Sequence, residues 1–392
     1  MPGLPAESPA DLATSTRSSA DAQAAPYDAL LLVSFGGPEK PEDVIPFLEN
    51  VTRGRGIPRE RLAEVGAHYD LFGGRSPIND QCRAFKAAVE ADFAASRLAL
   101  PVYWGNRNWD PYLLDAVEQM RADGVRRAAA FVTSAYASYS GCRQYRENLY
   151  DAVTPAGVAG VRNVPPRIHT PRIDKLRHYG QHPGFVGAFV DAVCAALAEL
   201  PAELQPQARL VFVTHSIPVV MAEQAGPDGR AYVAQHQTTA RSIATLVGER
   251  TGASRRHDLV YCSRSGPPSV PWLEPDVNDH LERLSAAGTE AVIVVPVGFV
   301  SDHMEVIYDL DTEARATAAA LGLEMRRADT PGIHPAFVAV VRDLLLERAA
   351  SERGEQPPRA VVPGARSTWD VCAADCCPNP RGNRPALAEI AR

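Results

Sequence analysis

Two short stretches hold the residue types that bind metal ions and move protons. Thr214-His215-Ser216-Ile217-Pro218 follows directly on the apolar run Leu210–Val213. A histidine at the carboxyl end of a strand, fixed by a nearby proline, is well placed for metal or proton work. The same position also suits a histidine that caps a helix or bonds a loop carbonyl, so position alone leaves both roles open. The second stretch, Gly298-Phe299-Val300-Ser301-Asp302-His303-Met304-Glu305, follows the run ending at Val295. If a helix begins here, Asp302 and Glu305 share a face, as do Glu305 and Asp309. The plainer alternative is an acidic first turn that complements the helix dipole. With His215 in the same lobe, an imidazole and a carboxylate can converge on a divalent ion or on a pair of acidic protons.

Other clusters are weaker signals. Ser34-Phe35-Gly36-Gly37-Pro38 offers a tight turn, but no Lys-Ser/Thr pair follows it and the glycine spacing of a dinucleotide site is absent. Nucleotide binding is therefore disfavoured, and a turn that lets a ligand approach the backbone is the better reading. His68, Tyr69 and Gly73–Ile78 form a loop before a helix, which Ser76 is suited to cap. Arg53, Arg55 and Arg59 crowd a glycine-containing loop, either as a solvated face or as a means of steering an anion. Cys372, Cys376 and Cys377 lie in a segment that is otherwise rich in proline and arginine. A disordered tail has no need of three thiols, so something inorganic is expected to order it.

The elements that must position these residues read as short buried strands alternating with helices. Leu30–Val33, Val102–Trp104 and Ala128–Thr133 are strand candidates in the first half, and Leu210–Thr214, Leu259–Cys262 and Ala291–Val295 in the second. Between them Cys82, Phe85, Val89 and Phe93 recur with helical spacing, as do Phe185, Phe189 and Val193, and later Phe337, Val341, Leu344 and Leu345. This rhythm implies right-handed βαβ units in two similar, Rossmann-like α/β lobes with parallel sheets flanked by helices. The first lobe is expected over 27–170 and the second over 181–330, divided near Arg167–Gln181. A helix near 333–350 is a candidate to pack back on the first lobe, and 351–392 forms an irregular, cysteine-bearing extension.

Composition narrows the class. The chain has 392 residues, enough for two domains, and its formal charge of −7 argues against a nucleic-acid-binding protein. No apolar run approaches the ~18 residues of a membrane helix. Residues 1–25 lack the apolar core of a signal peptide and read as a disordered tail. Seven cysteines without an export signal suggest a reducing compartment, so a cytoplasmic protein is expected.

Taken in order, Leu31–Pro38, the stretch 50–56 around Thr52, Gly73–Ile78, Thr214–Pro218, Trp272–Val277 and Pro296–Glu305 resemble the ferrochelatases, which insert ferrous iron into a porphyrin. The resemblance runs over roughly residues 27–345, in register across both lobes. Ser138-Tyr139-Ser140-Gly141-Cys142 and the tail are similar to an actinobacterial branch, the coproporphyrin III ferrochelatases that carry a [2Fe–2S] cluster. The resemblance implies His215 and Glu305 as the catalytic pair that handles Fe²⁺. It implies porphyrin contacts at Ser76, Tyr145, Thr52, His68, Tyr69 and Phe35. Several relatives carry a tyrosine in place of Phe35, whose phenol can ligate the product metal; Phe35 has no such oxygen.

The implied substrates are a porphyrin and ferrous iron, with no organic cofactor and a monomeric protein. Iron must lose water, two pyrrole protons must leave, and the macrocycle must bend; His215 can accept protons or hold Fe²⁺, while Glu305 supplies an oxygen ligand or passes protons on. Binding energy from the propionates and ring faces offsets the cost of bending. The implied cluster ligands are Cys142, Cys372, Cys376 and Cys377, although four thiolates suit zinc as well. Such a centre would tie the tail to the first lobe, leaving catalysis in the other lobe only indirectly dependent on it. Cys82, Cys194 and Cys262 fit core positions. Alternatives are a protoporphyrin IX ferrochelatase, a cobalt or nickel chelatase and, outside catalysis, an iron–sulfur sensor or tetrapyrrole carrier.

Overall fold

A computed structural model describes residues 19–54, 56–154 and 170–387. Its frame is a pair of four-stranded parallel sheets. The first holds β1 (Ala29–Ser34), β2 (Val102–Asn106), β3 (Arg127–Val132) and β4 (Arg172–Lys175), in the order β2-β1-β3-β4. The second holds β5 (Arg209–His215), β6 (His257–Cys262), β7 (Ala291–Val295) and β8 (Glu324–Arg327), in the order β6-β5-β7-β8. The same strand order therefore occurs twice. Every residue of β1 and of β7 is buried, as expected for central strands covered on both faces.

All six expected strands form, each within two residues of its expected ends. The two remaining strands, β4 and β8, carry charges that hide them from an apolar-run search. β4 also falls in the stretch Arg167–Gln181 expected to divide the lobes, of which 167–169 lie outside the described residues. It is instead the edge of the first sheet. Asp174 of β4 takes a hydrogen bond from Arg127 Nε at 2.6 Å, so the edge is built on charge pairing.

The expected helical stripes are buried in helices Ile78–Ala95, Pro183–Ala198 and Pro335–Glu352. These helices lie between the sheets and share one continuous core, in which the Phe85 and Phe337 rings stack 5.2 Å apart. Helix Pro335–Glu352 packs on helix Ile78–Ala95, and its Arg342 Nη1 donates to Asp92 Oδ1 at 2.6 Å and to Ser96 Oγ at 2.7 Å. The tail expected to be disordered over 1–25 needs correction at its end. Ser19–Ala24 is helical and Ala24 is buried, because Arg353 donates to the Ala25 carbonyl at 2.7 Å and holds the segment on the core. Residues 1–18 lie outside the described residues.

The described part of the extension after Arg353 has no helix or strand. It is held by hydrogen bonds to buried groups: Arg143 Nη2 to the Arg384 carbonyl at 2.9 Å, Arg146 Nε to the Leu387 carbonyl at 2.6 Å, and Thr368 Oγ1 to the His178 carbonyl at 2.8 Å. No described helix is long and apolar enough to cross a membrane.

Candidate active site

His215 is the last residue of β5, and its partner arrives from beyond β7. The chain after Val295 comes so close to β5 that a Cβ on Gly298 would lie 2.1 Å from Thr214 Oγ1. Only glycine fits there, and this close approach brings the following residues over the end of β5. Glu305 lies in the helical turn Met304–Val306, which continues as a π-helix over Ile307–Ala314. The wider turn keeps Glu305 and Asp309, four residues apart, on one side; such segments occur often at functional sites. His215 Nε2 stands 3.4 Å from Glu305 Oε1, and His303 Nδ1 stands 3.9 Å from Glu305 Oε2. Asp302 does not share their face. The helix starts after it, and its carboxylate turns to Arg327 at 3.3 Å.

The groups of this site tune one another. Burial opposes the imidazolium of His215, but the charge and hydrogen bond of Glu305, with the Ser216 carbonyl on Nδ1, outweigh it and push the ring up to about 9. Burial likewise opposes the Glu305 carboxylate, yet His215 and His303 hold it below the usual carboxylate range. His303 is shifted down, chiefly by burial. Asp309 is pushed up to about 7, first by burial and then by Glu305, against a hydrogen bond from Ser263. A proton-holding imidazole, an ionised carboxylate and a carboxyl poised near neutrality thus stand at one end of the second sheet.

The first lobe faces them with aromatic side chains. Phe35, after β1, meets Phe47 edge-on at 6.3 Å, and Trp109 meets the same ring at 6.1 Å. Tyr69 is buried in this group with Met304, and its hydroxyl is pushed up by burial and by Glu305. His68 stacks on Tyr308 of the π-helix at 3.8 Å, joining the two lobes across the cleft. A family profile described as ferrochelatase matches residues 27–349. The chain belongs to the ferrochelatase family.

Relatives of this ferrochelatase agree over most of its length. The coproporphyrin III ferrochelatase of Streptomyces coelicolor is 58% identical over 370 residues, 93% of this chain and 96% of that protein. That of Frankia alni is 53% identical over 354 residues, 90% of this chain and 87% of that protein. Among solved structures, SirB from Bacillus subtilis with Fe3+ is similar with a TM-score of 0.49 and 13% identity, covering 83% of this chain and 97% of that one.

The remaining expected porphyrin contacts divide. Tyr145 is buried under the guanidinium of Arg107, which lies 4.7 Å from its ring and 5.5 Å from that of Phe35. Thr52 donates to the Leu48 carbonyl at 2.7 Å, which ends its own helix. Ser76 is buried against Gly37, where a Cβ would meet it at 2.8 Å, and it accepts from the Ile78 amide at 3.4 Å. Both of these hydroxyls are engaged locally, and Arg55 lies outside the described residues. Arg107 escaped the sequence reading. It follows the carboxyl end of β2, the position that drew attention to His215, and its buried Nε has no hydrogen-bond partner among the described residues.

Cys372, Cys376 and Cys377 pack together with Ala137, and Cys142 meets them through a hydrogen bond with Cys372. Cys142 lies in the π-turn Tyr139–Arg143, and it is buried and free, as are Cys372, Cys376 and Cys377. Trp369 Nε1 donates to Cys372 Sγ at 2.9 Å, and the Gly226 amide donates to Cys377 Sγ at 3.1 Å. Hydrogen bonds from Cys142 and Cys376 push the Cys372 thiol down, aided by Arg146 and Lys175 and opposed by burial. Because Gly226 belongs to the second lobe, these thiols meet both lobes and not the first alone. Among the described residues, no three His, Cys, Asp or Glu side chains stand gathered closely enough to hold a single metal ion as they are. Cys82 and Cys262 are buried core residues and Cys194 is half-buried.

Proposed function

We propose that this ferrochelatase inserts ferrous iron into coproporphyrin III, releasing two protons and yielding iron coproporphyrin III for heme synthesis. The observation that carries the chemistry is the pair His215–Glu305, 3.4 Å apart at the end of β5 and facing the aromatic wall of the first lobe. His215 Nδ1 faces the Ser216 carbonyl, so that nitrogen carries a proton and Nε2 is the working atom. The pair holds a proton until iron arrives. Fe²⁺ taken up by Glu305 cancels the charge that keeps His215 protonated, so Nε2 gives its proton to water and is free to accept a pyrrole proton or to bind the ion. Phe35, Tyr69 and Trp109 supply a flat apolar face for the macrocycle, with Tyr145, His68, Thr52 and Ser76 in the surrounding wall. Arg107 supplies a cation for a propionate.

The choice of coproporphyrin rests on the relatives that bear that name. The test is anaerobic Fe²⁺ insertion with coproporphyrin III and protoporphyrin IX side by side. Coproporphyrin III is expected to give the higher kcat/KM; equal or better efficiency with protoporphyrin IX would refute the substrate assignment.

We infer further that Cys142, Cys372, Cys376 and Cys377 hold a [2Fe–2S] cluster, which would supply a covalent tie between the extension and both lobes. Cys376 Sγ and Cys377 Sγ are 3.9 Å apart, close to the roughly 3.8 Å between sulfurs that share a tetrahedral metal with bonds of about 2.3 Å. Cys377 has a φ of 53°, the left-handed turn that lets adjacent cysteines face one centre. Amide and indole N–H groups already point at two of the sulfurs, as thiolate ligands require.

A further inference from the structure

We propose that Tyr232 is a positioning residue for His215, acting through the backbone at the end of β5; this rests on the reading of His215 as the metal-inserting histidine. Tyr232 lies in the first turn of helix Ala231–Thr251, and its hydroxyl donates to the His215 carbonyl at 2.8 Å. That carbonyl stands where the sheet runs out. The pairing of β5 with β7 ends at Phe212 opposite Val295, and past it the Gly298 amide reaches back to the Val213 carbonyl at 3.2 Å. On the other side the Ser216 amide donates to the Cys262 carbonyl at 2.8 Å. The peptide between His215 and Ser216 is therefore held at its N–H by β6 and at its C=O by Tyr232.

The orientation of this peptide determines where the imidazole points. His215 Nδ1 bonds the next carbonyl along, that of Ser216, and this bond turns Nε2 toward Glu305. If the peptide tilts, the Ser216 carbonyl and the ring tilt with it.

Tyr232 is itself fixed by an enclosed network. Thr214 Oγ1 lies 2.9 Å from Tyr232 Oη and 2.9 Å from His236 Nε2, and His236 Nδ1 lies 2.7 Å from the Tyr232 carbonyl. Nδ1 of His236 faces a carbonyl and so carries the ring proton; Nε2 then accepts from Thr214, whose Oγ1 shares the Tyr232 hydroxyl proton with the His215 carbonyl. Tyr136 of the first lobe stacks on His236 at 3.6 Å and closes the network from behind. Thr214, Tyr232 and His236 are all buried. Hydrogen bonds behind a metal-binding histidine that set its direction cost roughly tenfold or more in activity when removed.

The test compares full-length wild type, Tyr232→Phe and His215→Ala in anaerobic Fe²⁺ insertion, with NMR of isotope-labelled histidine rings. Tyr232→Phe keeps the ring in place and removes only the hydroxyl. Its kcat is expected to fall roughly tenfold with an unchanged KM for porphyrin and a melting temperature lowered by only a few degrees. The His215 ring signals should move while those of the remote His334 stay. Thr214→Ala, which frees Tyr232 to rotate, should follow the same pattern. Wild-type kcat in Tyr232→Phe, with His215→Ala inactive, would overturn this proposal and leave the functional reading standing. So would a joint change in kcat and KM with a much lowered melting temperature and unmoved His215 signals, the mark of a packing role. Full turnover in His215→Ala would overturn the functional reading itself, and this proposal with it.

Discussion

The two lobes have the same strand order and opposite chemistry. At the strand ends of the second sheet stand His215, His303, Glu305 and Asp309, each with its protonation shifted by burial and by its neighbours. At the ends of the first stand Phe35 and Arg107, faced by Phe47, Tyr69 and Trp109 from the adjoining helices and loops. A doubly wound sheet decides where a ligand is met, since loops collect at the carboxyl ends of its strands. The residues placed there decide what happens to it. In the proposed division of labour the first lobe holds the flat ring and the second handles the metal and the protons.

This contrast breaks most readily at the pair itself. Replacing His215 by Ala or Glu305 by Gln is expected to lower iron insertion by about 100-fold or more, the scale of a lost general acid–base group. Phe35→Leu, in the opposite lobe, should act mainly on the KM for porphyrin. The two effects are read from steady-state insertion kinetics, with circular dichroism to show that each variant is folded. A His215→Ala protein with near-normal kcat would end the division.

The four thiols give the next test, because the proposed cluster would tie the extension to both lobes there. The purified protein is expected to be coloured and to contain about two irons and two sulfides per chain. Serine at Cys142, Cys372, Cys376 or Cys377 should bleach it and open residues 351–387 to proteolysis, whereas serine at Cys82, Cys194 or Cys262 should not. Colourless protein with one zinc would assign the four thiols to zinc instead.

The smallest effect expected is on stability, and its sign follows from the shifted groups. The folded His215 titrates at about 9, above its usual value. Its contribution to stability is therefore complete below the unfolded pKa of roughly 6.5 and is lost as pH rises through the folded value. Glu305, shifted down, contributes above its usual range and loses that contribution only in strong acid. Both side chains are partly exposed, at 31% and 49%, so solvent screening keeps the effect small. The melting-temperature difference between wild type and His215→Ala should shrink between neutral pH and pH ~9. A difference that grows over that interval would show that Glu305 does not hold the proton on His215.

Local pattern was enough for much of this protein. Apolar runs such as Ala291–Val295 have one way to be buried on both faces, and helical stripes such as Phe185, Phe189 and Val193 have one face to cover. Strand, helix and the two-lobed class follow from these without any knowledge of contacts, and His215 followed from its place after such a run. Edge strands β4 and β8 did not, since their stability comes from charges paired with distant residues, Asp174 with Arg127 being one case. Arg107, which its place after β2 alone did not single out, Tyr232 and His236 were missed for the same reason. Each meets a partner on another element, Tyr145, His215 and Thr214 respectively, and no spacing rule encodes such a pair. Thr52 and Ser76 show the converse, for motif position placed them in the cleft while hydrogen bonds to their own helices engaged their hydroxyls. Sequence alone determined the elements and the residue types at their ends, because those depend on burial and short-range periodicity. The tertiary structure alone decided which of those residues meet, because the few ångströms between His215 and Glu305 depend on how closely Gly298 lets the chain beyond β7 approach β5.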